Sequence, residues 1–198
     1  MKSKLSLVMA CTIDGGIGYD NKMPWNISNE MKKFKEITTN NENNAVIMGR
    51  ETWESINMKP LSNRLNIILT RNRICNLNPY NYENVIIVYN INDAVNYCYN
   101  NYIDNIFIIG GATIYNIFLQ SIYYFKMIDK IYLSIIFYNN NIKTNKFIDI
   151  DSIFINFNIV KDEKYKQQCI NREFASYICY PKNNFNNSPN MYKYIYRL

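Results

Sequence analysis

Short apolar segments rich in β-branched residues alternate with segments of helical periodicity through the first two thirds of the chain. Six segments of the first kind predict strands at 5–11, 45–48, 66–70, 85–89, 106–109 and 131–137. Four of the second kind predict helices at 29–38, 52–56, 92–100 and 112–119, with Asn92 as an N-cap. This alternation is typical of an α/β domain in which right-handed crossovers join parallel strands.

The last third of the chain has a different pattern. Residues 153–160 and 169–180 are two β-rich segments without a helical segment between them, so we predict an antiparallel hairpin that completes the sheet. We expect one domain at 1–182. Residues 183–198 follow as a polar linker and a tyrosine-rich tail of unknown role.

The composition excludes several classes of enzyme and site. The 198 residues include no histidine, which excludes hydrolases that need an imidazole base and most catalytic zinc sites. The five cysteines form no CxxC pair, so we expect reduced thiols, no metal site and a cytoplasmic location. The net charge of +6 favours anionic ligands. Because no segment before the tail alternates aromatic with basic residues, and no apolar segment is long enough to span a bilayer, we expect neither nucleic acid nor a membrane as a partner.

The first predicted helix carries the strongest candidate for chemistry. Ile27, Met31, Phe34 and Thr38 recur at helical spacing and mark the face that we expect to turn toward the protein, with Glu30 beside it. An acid in the first turn also complements the helix dipole, so position alone leaves a structural role open. A carboxylate beneath an apolar lid has a raised pKa and needs a donor. The glycine-rich and aromatic loop before this helix is a candidate for such a lid.

Two predicted strand-to-helix junctions contain glycine. Gly110 and Gly111 suit a close approach of phosphate to backbone amides, although ordinary tight turns have the same pattern. At the other junction, Gly49 precedes Arg50, a cation at a helix start where the dipole disfavours it, so we expect an anion nearby. Arg71 is a second candidate for that anion, and two arginines suit a phosphate monoester. For either arginine, a solvated surface position is the alternative.

Taken in order, these segments resemble the dihydrofolate reductase family from about residue 4 to 182. The matching segments are Gly-Ile-Gly at 16–18, Met-Pro-Trp at 23–25, Asn-Glu at 29–30 with Phe34, Val-Ile-Met-Gly-Arg at 46–50 with Thr52, Trp53, Ser55 and Ile56, Pro-Leu at 60–61 with Arg64, Asn-Ile-Ile-Leu-Thr-Arg at 66–71, and Ile-Gly-Gly at 109–111 with Tyr115. Glutamate as the acid resembles the eukaryotic-type branch. The resemblance implies a central, mostly parallel sheet flanked by helices with a C-terminal antiparallel hairpin. It also implies NADPH-dependent reduction of dihydrofolate to tetrahydrofolate, which supplies one-carbon and thymidylate metabolism.

The resemblance implies a catalytic set of Glu30, Trp25 and Ser134. Glu30 would accept hydrogen bonds from the pterin ring N–H and 2-amino group, and would raise the basicity of the ring nitrogen that receives a proton through water. Arg64 would pair with the α-carboxylate of the folate glutamate. The other residues implied to contact substrate are Val8, Met9, Met31, Phe34, Lys35, Ser55, Ile56, Leu61, Ile109 and Tyr115.

By the same resemblance NADPH is the cofactor, its nicotinamide supplying hydride. Gly110 and Gly111 would take the pyrophosphate, and Arg50 and Arg71 would favour NADPH over NADH. The implied cofactor-binding residues are Ala10, Gly16, Ile17, Gly18, Met23, Gly49, Arg50, Glu51, Thr52, Leu69, Thr70, Arg71, Gly110, Gly111, Ala112, Thr113 and Ile114.

Three positions depart from the family pattern. Glu51 places an acid beside the expected phosphate site and should weaken cofactor binding. Ser134 stands where the family usually has threonine and retains the hydroxyl. The family's Asp-Thr before Phe is replaced by Thr-Asn-Lys-Phe at 144–147, the loop that braces the mobile loop around Met23, so we expect altered closure.

Other functions stay open at this stage. A reductase of the same fold that acts on a pyrimidine intermediate of riboflavin synthesis has no use for the Met-Pro-Trp segment or for Arg64. A folate-binding module without catalysis is favoured by the altered loop at 144–147, and an RNA-binding protein by the charge and the tyrosines. We expect a monomer whose partner is dihydrofolate. The end of the tail resembles the start of thymidylate synthase, which allows a functional link to that enzyme, whereas an unstructured extension is the simpler interpretation.

Overall fold

An eight-stranded sheet forms the centre of the structure, a computed structural model that describes residues 3–40, 43–71, 82–137, 142–165 and 173–182. The strands of this sheet are β1 (Lys4–Thr12), β3 (Asn44–Gly49), β4 (Leu65–Leu69), β5 (Val85–Val88), β6 (Asn105–Ile108), β7 (Ile128–Ile136), β9 (Phe157–Lys161) and β10 (Phe174–Pro181). A separate two-stranded sheet contains β2 (Gly16–Gly18) and β8 (Lys146–Phe147). The helices are α1 (Ser28–Thr38), α2 (Arg50–Ser55), α3 (Ile91–Asn100), α4 (Ala112–Gln120), α5 (Ile122–Phe125) and α6 (Ile150–Asn156).

The strand order is β5-β4-β3-β6-β1-β7-β10-β9. The first six strands in this order are mutually parallel, whereas β10 runs antiparallel to both β7 and β9. The mostly parallel α/β sheet and the antiparallel pairing at its C-terminal side are therefore confirmed. Because β6 lies between β3 and β1, the carboxyl ends of these three strands meet at one edge, the place where open α/β sheets bind ligands.

The sheet lies between two layers of helices. Side chains alternate along β1, so that Leu7 and Cys11 pack in one apolar cluster with α3, α4 and α6. Val8, on the opposite face, packs in a second cluster with Ile37 of α1 and Trp53 of α2. The even-numbered residues of β1 therefore face the helix that carries Glu30. Within the described ranges, no helix combines the length and the apolar character needed to cross a bilayer.

Two details of the predicted elements are wrong. Asn90, not Asn92, is the N-cap of α3, and its side chain accepts a hydrogen bond from the backbone N–H of Asp93 at 2.8 Å. The predicted strand at 153–160 begins only at Phe157, because Asp149 caps a helix over 150–156 by accepting from Ser152 N at 3.0 Å. Helix α5 was not predicted.

The cysteines of the described ranges are free thiols in the core. Burial raises the pKa of Cys11, Cys98 and Cys179 to about 12 each, so these thiols are protonated near neutral pH. The start of the β-rich segment at 169–180, Cys75, Cys169 and the tail at 183–198 lie outside the described residues.

The N-cap assignment predicts a difference between two neighbouring asparagines. Asn90→Ala removes the cap of α3 and should lower the free energy of unfolding by about 1 kcal/mol, measured by urea denaturation. Asn92→Ala is the matched control, since it removes only an exposed hydrogen bond from Tyr124 Oη and gains helix propensity. An equal loss in the two variants would contradict the assignment.

Candidate active site

Glu30 lies in the middle of the buried arc of α1. Its neighbours on this arc are Ile27, Lys33, Ile37 and Thr38, and Glu30 itself is only 6% exposed. The predicted face was therefore rotated: Met31, which we assigned to it, is 44% exposed. The helix thus presents its first-turn acid to the sheet, which excludes a purely solvated role as a dipole partner.

A chain of hydrogen bonds connects Glu30 to the sheet. Ser134 of β7 donates to Glu30 Oε1 at 3.1 Å, and Lys33 donates from Nζ to Ser134 Oγ at 3.0 Å. Burial raises the pKa of the Glu30 carboxyl, while the charge of Lys33 and the bond from Ser134 act in the opposite direction. A hydroxyl thus lies beside the acid at the expected position, whereas the sequence did not indicate Lys33.

Trp25 lies next to these hydrogen-bonded residues, on the same side of the sheet. It packs with Ile27 in a cluster that Ala10 contacts, and Ala10 is the strand partner of Ser134 across the β1–β7 pair. The indole Nε1–H of Trp25 is buried and has no acceptor among the described residues. An unsatisfied buried donor costs about 1–3 kcal/mol, so this N–H fits an acceptor from a water or a ligand.

Five apolar residues that the resemblance implies to contact substrate, here called the apolar walls, pack together. Val8 belongs to a buried cluster against which Phe34, Ile56, Leu61 and Ile109 pack, and these four are half-buried. They come from α1, from the segment after α2 and from the end of β6. Partial exposure of apolar side chains at one place is what an aromatic ligand requires.

Arg64 is held at the side of these walls. Its Nε donates to Ser62 O at 3.0 Å, its Nη1 donates to Thr38 Oγ1, and its guanidinium lies 5.9 Å from the centre of the Phe34 ring. Burial lowers the pKa of the guanidinium, because desolvation disfavours the charge. An anion bound here would restore the lost solvation.

The two glycine junctions contact each other through backbone. Gly49 donates to Gly110 O at 2.8 Å, and the Gly110–Gly111 peptide bond is cis. A Cβ added at Gly110 would lie 2.7 Å from the ring of Tyr115, whose hydroxyl donates to Val8 O at 2.6 Å. Neither Gly49 nor Gly111 supplies a side-chain cap to the helix that follows it. The amides at both helix starts are thus available to an anion. The space in front of them, called the cradle below, is open because positions 49, 110 and 111 are glycines without side chains.

The charged residues near this cradle are paired with one another. Arg50 donates to both carboxylate oxygens of Glu54, at 2.7 and 2.8 Å, so the anion expected near Arg50 is at least in part its own helix neighbour. Glu51 pairs with Lys146 at 3.5 Å, which offsets the acid that we expected to weaken cofactor binding. Arg71 is exposed at the end of β4. These pairs lie at the surface, where such interactions are weak and exchangeable.

The loop before Trp25 is braced by the segment at 144–147, despite its altered sequence. Strands β2 and β8 pair antiparallel, Asn145 N donates to Gly18 O at 2.8 Å, and Asn145 Nδ2 donates to Asp20 Oδ1 at 3.1 Å. Asp20 and Asn21 have positive φ angles of 46° and 59° between Tyr19 and Lys22, the geometry of a two-residue hairpin turn. The brace therefore uses backbone pairing and an amide in place of an acid.

The remaining predicted residues are distributed around the cleft. Met9 is buried on the opposite face of β1, whereas Lys35, Ser55, Met23 and Thr113 are exposed. Half-buried positions are occupied by Ile17, Thr52, Leu69 and Ala112, and buried positions by Gly16, Gly18, Thr70 and Ile114. Lys33 and Thr38 were missed as polar partners. The signal for Lys33 was its position three residues after Glu30, on the same helical face.

Comparison with known proteins gives one consistent result. The family model described as dihydrofolate reductase matches residues 4–182. The dihydrofolate reductase of Candida albicans is 46% identical over 110 residues, which is 51% of this chain and 53% of that protein. A putative dihydrofolate reductase of Caenorhabditis elegans is 35% identical over 146 residues, which is 69% of this chain and 73% of that protein.

A bifunctional dihydrofolate reductase-thymidylate synthase of Paramecium tetraurelia is 39% identical over 110 residues, 56% of this chain, and the chain spans only 22% of its length. Among solved structures, the dihydrofolate reductase from Enterococcus faecalis in complex with NADP(H) and RAB-propyl has a TM-score of 0.66 and 25% identity. The likeness covers 91% of this chain and 97% of that chain.

The cradle predicts unequal effects of two alanine substitutions. Gly110 has a φ of +105° and its added Cβ meets the fixed Tyr115 ring, so Gly110→Ala should lower the free energy of unfolding by about 1–3 kcal/mol. Gly111→Ala meets only Thr52 Oγ1 at 3.3 Å and should cost clearly less. Urea denaturation of both variants tests this, and a loss at Gly111 equal to or larger than that at Gly110 would contradict the described packing.

Proposed function

This chain belongs to the dihydrofolate reductase family, and on that premise we propose that it catalyses the NADPH-dependent reduction of dihydrofolate to tetrahydrofolate. The observation that carries the proposal is the buried carboxylate of Glu30, fixed by Ser134 beside half-buried apolar walls. An acid in such a place needs donors from a ligand, and a pterin offers an N–H and an amino group side by side.

Glu30 anchors the pterin ring and tunes its basicity. Because Ser134 occupies one lone pair of Oε1, the carboxylate presents its other lone pairs to the ring N–H and the 2-amino group. The negative charge so placed raises the basicity of the ring nitrogen that must be protonated. NADPH, when bound, supplies the hydride to the adjacent carbon.

Trp25 positions the water that delivers the proton. Its buried Nε1–H needs an acceptor, and a water held there lies on the side of the sheet that carries Ser134 and Ala10. The apolar walls exclude other water, which strengthens the electrostatic effect of the carboxylate. The chain's own task is therefore alignment, desolvation and control of one proton.

The cofactor is held mainly by backbone. The amides after Gly49 and Gly111 fit the phosphates, since neither helix start is capped by a side chain. Arg71 and Thr70 lie at the end of β4 and fit the adenosine phosphate together with Arg50, which exchanges its exposed pair with Glu54 for the ligand. The loop around Met23 would close over the nicotinamide.

The reaction connects the chain to thymidylate metabolism. The relatives from Paramecium tetraurelia and Arabidopsis thaliana are named as bifunctional with thymidylate synthase, and tetrahydrofolate cofactors are consumed by that second activity. We propose a functional link of this kind for the present chain, which acts as a monomer in the cytoplasm in this scheme.

The first prediction of the proposal concerns Glu30. Wild-type protein should oxidise NADPH in the presence of dihydrofolate, faster than it oxidises NADH, as followed by absorbance. Glu30→Gln should fold normally and lose turnover by about 100-fold or more near neutral pH, because the amide carries no charge and offers one acceptor oxygen. The exposed Glu83→Gln is the control. Wild-type turnover in Glu30→Gln would remove Glu30 from the mechanism, and the absence of NADPH oxidation in the wild type would contradict the function.

The second prediction concerns Arg64. Arg64→Lys should raise KM for dihydrofolate roughly 10- to 100-fold and change kcat little, because lysine cannot hold the α-carboxylate with two parallel bonds. A dihydropterin without the glutamate tail provides the internal control, since its KM should be the same for both proteins. An equal rise of KM for both substrates would show that Arg64 acts on the fold of the cleft and not on the tail.

A further inference from the structure

We propose that Lys33 is a positioning residue of this reaction, whose ammonium acts through the Ser134 hydroxyl to keep Glu30 ionised and to hold its Oε1 as a hydrogen-bond acceptor. The proposal deepens the function given above and rests on it. Glu30 and Ser134 are part of the expected site, whereas Lys33 was not among the residues that the family resemblance supplied.

The geometry places a lysine amino group one helical turn from the acid. Lys33 is 1% exposed, although its chain is long and flexible. Its Nζ lies 3.0 Å from Ser134 Oγ, which in turn lies 3.1 Å from Glu30 Oε1. Helix α1 and strand β7 supply the groups, so the arrangement depends on the tertiary fold.

The direction of the two hydrogen bonds follows from the protons that the ammonium group and the serine hydroxyl can donate. An ammonium group only donates, so Ser134 must accept from Lys33. The serine hydroxyl then has one proton left, and it donates this proton to Glu30 Oε1. Glu30 Oε1 is therefore the acceptor at the end of these two hydrogen bonds, a role that either oxygen of an ionised carboxylate fulfils. Reversal would require Lys33 to lose its proton.

Burying the Lys33 ammonium at this place is unfavourable unless a nearby negative charge compensates its positive charge. Burial of a lysine charge carries a large desolvation cost, and an apolar residue of similar length would fill the same space without this cost. The charge faces the Tyr165 ring at 5.7 Å and the Ser134 hydroxyl, so part of its solvation is replaced. Glu30 provides the compensating negative charge through one hydroxyl.

Three other titratable groups described near these hydrogen bonds, Tyr115, Cys179 and Tyr165, are neutral or paired. On the side of α4, burial raises the pKa of Tyr115, and on β10 burial raises the pKa of Cys179 to about 12, so both are protonated near neutral pH. Burial and the neighbouring Glu36 raise the pKa of Tyr165, whose hydroxyl donates to Glu36 Oε2 at 2.9 Å.

Two further charged groups lie nearby in the part of the chain that the structure describes. Lys164 lies 3.7 Å from Glu36, at the exposed side of Tyr165. Asp162 is buried and accepts from Ser176 Oγ at 3.3 Å, and Ser176 is the β10 strand partner of Ser134. Asp162 is thus a second buried carboxylate, next to the strand partner of Ser134, so the test must resolve individual carboxyl groups.

The sign of the effect is defined. Burial raises the pKa of Glu30, and the positive charge of Lys33 opposes this rise. Removal of the Lys33 charge should therefore move the Glu30 titration to higher pH. At pH values on the acid side of the Glu30 titration, a larger fraction of Glu30 is then protonated in the variant than in the wild type. A protonated carboxyl group offers fewer hydrogen-bond acceptors to the pterin. At the alkaline side both proteins have an ionised acid and bind alike.

The first experiment needs no substrate. Glutamate carboxyl groups labelled with ¹³C are titrated by NMR in the free protein, and the Glu30 resonance is assigned as the one lost in Glu30→Gln. Lys33→Met and Lys33→Gln should both shift its midpoint to higher pH, whereas Lys33→Arg should keep the wild-type midpoint. Lys32→Met, which removes an exposed lysine of the same helix, is the matched control and should not shift it.

Lys33→Gln separates charge from hydrogen bonding, because its amide still donates to Ser134. It also carries the test if Lys33→Met does not fold. A wild-type Glu30 midpoint in Lys33→Gln would overturn the proposal, since a structural role of the side chain would then suffice.

The second readout is the Kd for dihydrofolate as a function of pH. Relative to wild type, Lys33→Gln should bind at least about tenfold more weakly at the acid side of the Glu30 titration and equally at the alkaline side. A uniform loss across pH would contradict the proposal. If wild-type protein bound no dihydrofolate, the proposed function would fail, and the NMR titration would still decide the role of Lys33.

Discussion

The hydrogen bond from Ser134 to Glu30 joins helix α1 to strand β7 across 104 residues of sequence, and the arrangement of the cleft depends on it. It requires the buried arc of α1 to be centred on Glu30, and it requires β7 to place Ser134 on the face of the sheet that α1 covers. The same register puts Ala10 beside Ser134 and brings Trp25 to the same region. One polar contact in an apolar environment thus aligns the acid, the hydroxyl and the indole.

The cofactor side of the cleft follows a different principle. There the sheet topology brings two glycine junctions together, and backbone amides rather than side chains form the candidate phosphate site. Charged residues around it are paired with each other at the surface, as in Arg50 with Glu54 and Lys146 with Glu51. Because exposed pairs contribute about 0–1 kcal/mol, a phosphate with two or more negative charges would displace them at small cost. The site is therefore preorganised in its backbone and adjustable in its charges.

The parallel strands could be predicted from the sequence, because buried parallel strands are short and nearly continuous apolar segments. The prediction that Glu30, Trp25, Ser134 and Arg64 belong to one site rested on the order of the family segments alone. The sequence-based predictions were wrong where a local side-chain hydrogen bond determines where a helix begins. Asn90 rather than Asn92 caps α3, and Asp149 caps a helix in an isoleucine-rich segment that was predicted as a strand. Lys33 was missed because a lysine on a helix is normally solvated, and only the packing of α1 against β7 and Tyr165 shows its burial.

The central claim is that Glu30 anchors a pterin in this cleft, and a crystal structure of the chain with folate and NADP⁺ tests it most directly. The account predicts that the Glu30 carboxylate lies about 3 Å from both the ring N–H and the 2-amino nitrogen, with Ser134 still bonded to Oε1 and the phosphates on the amides after Gly49 and Gly111. A pterin bound elsewhere, or a ring that leaves Glu30 in contact with Ser134 alone, would contradict it.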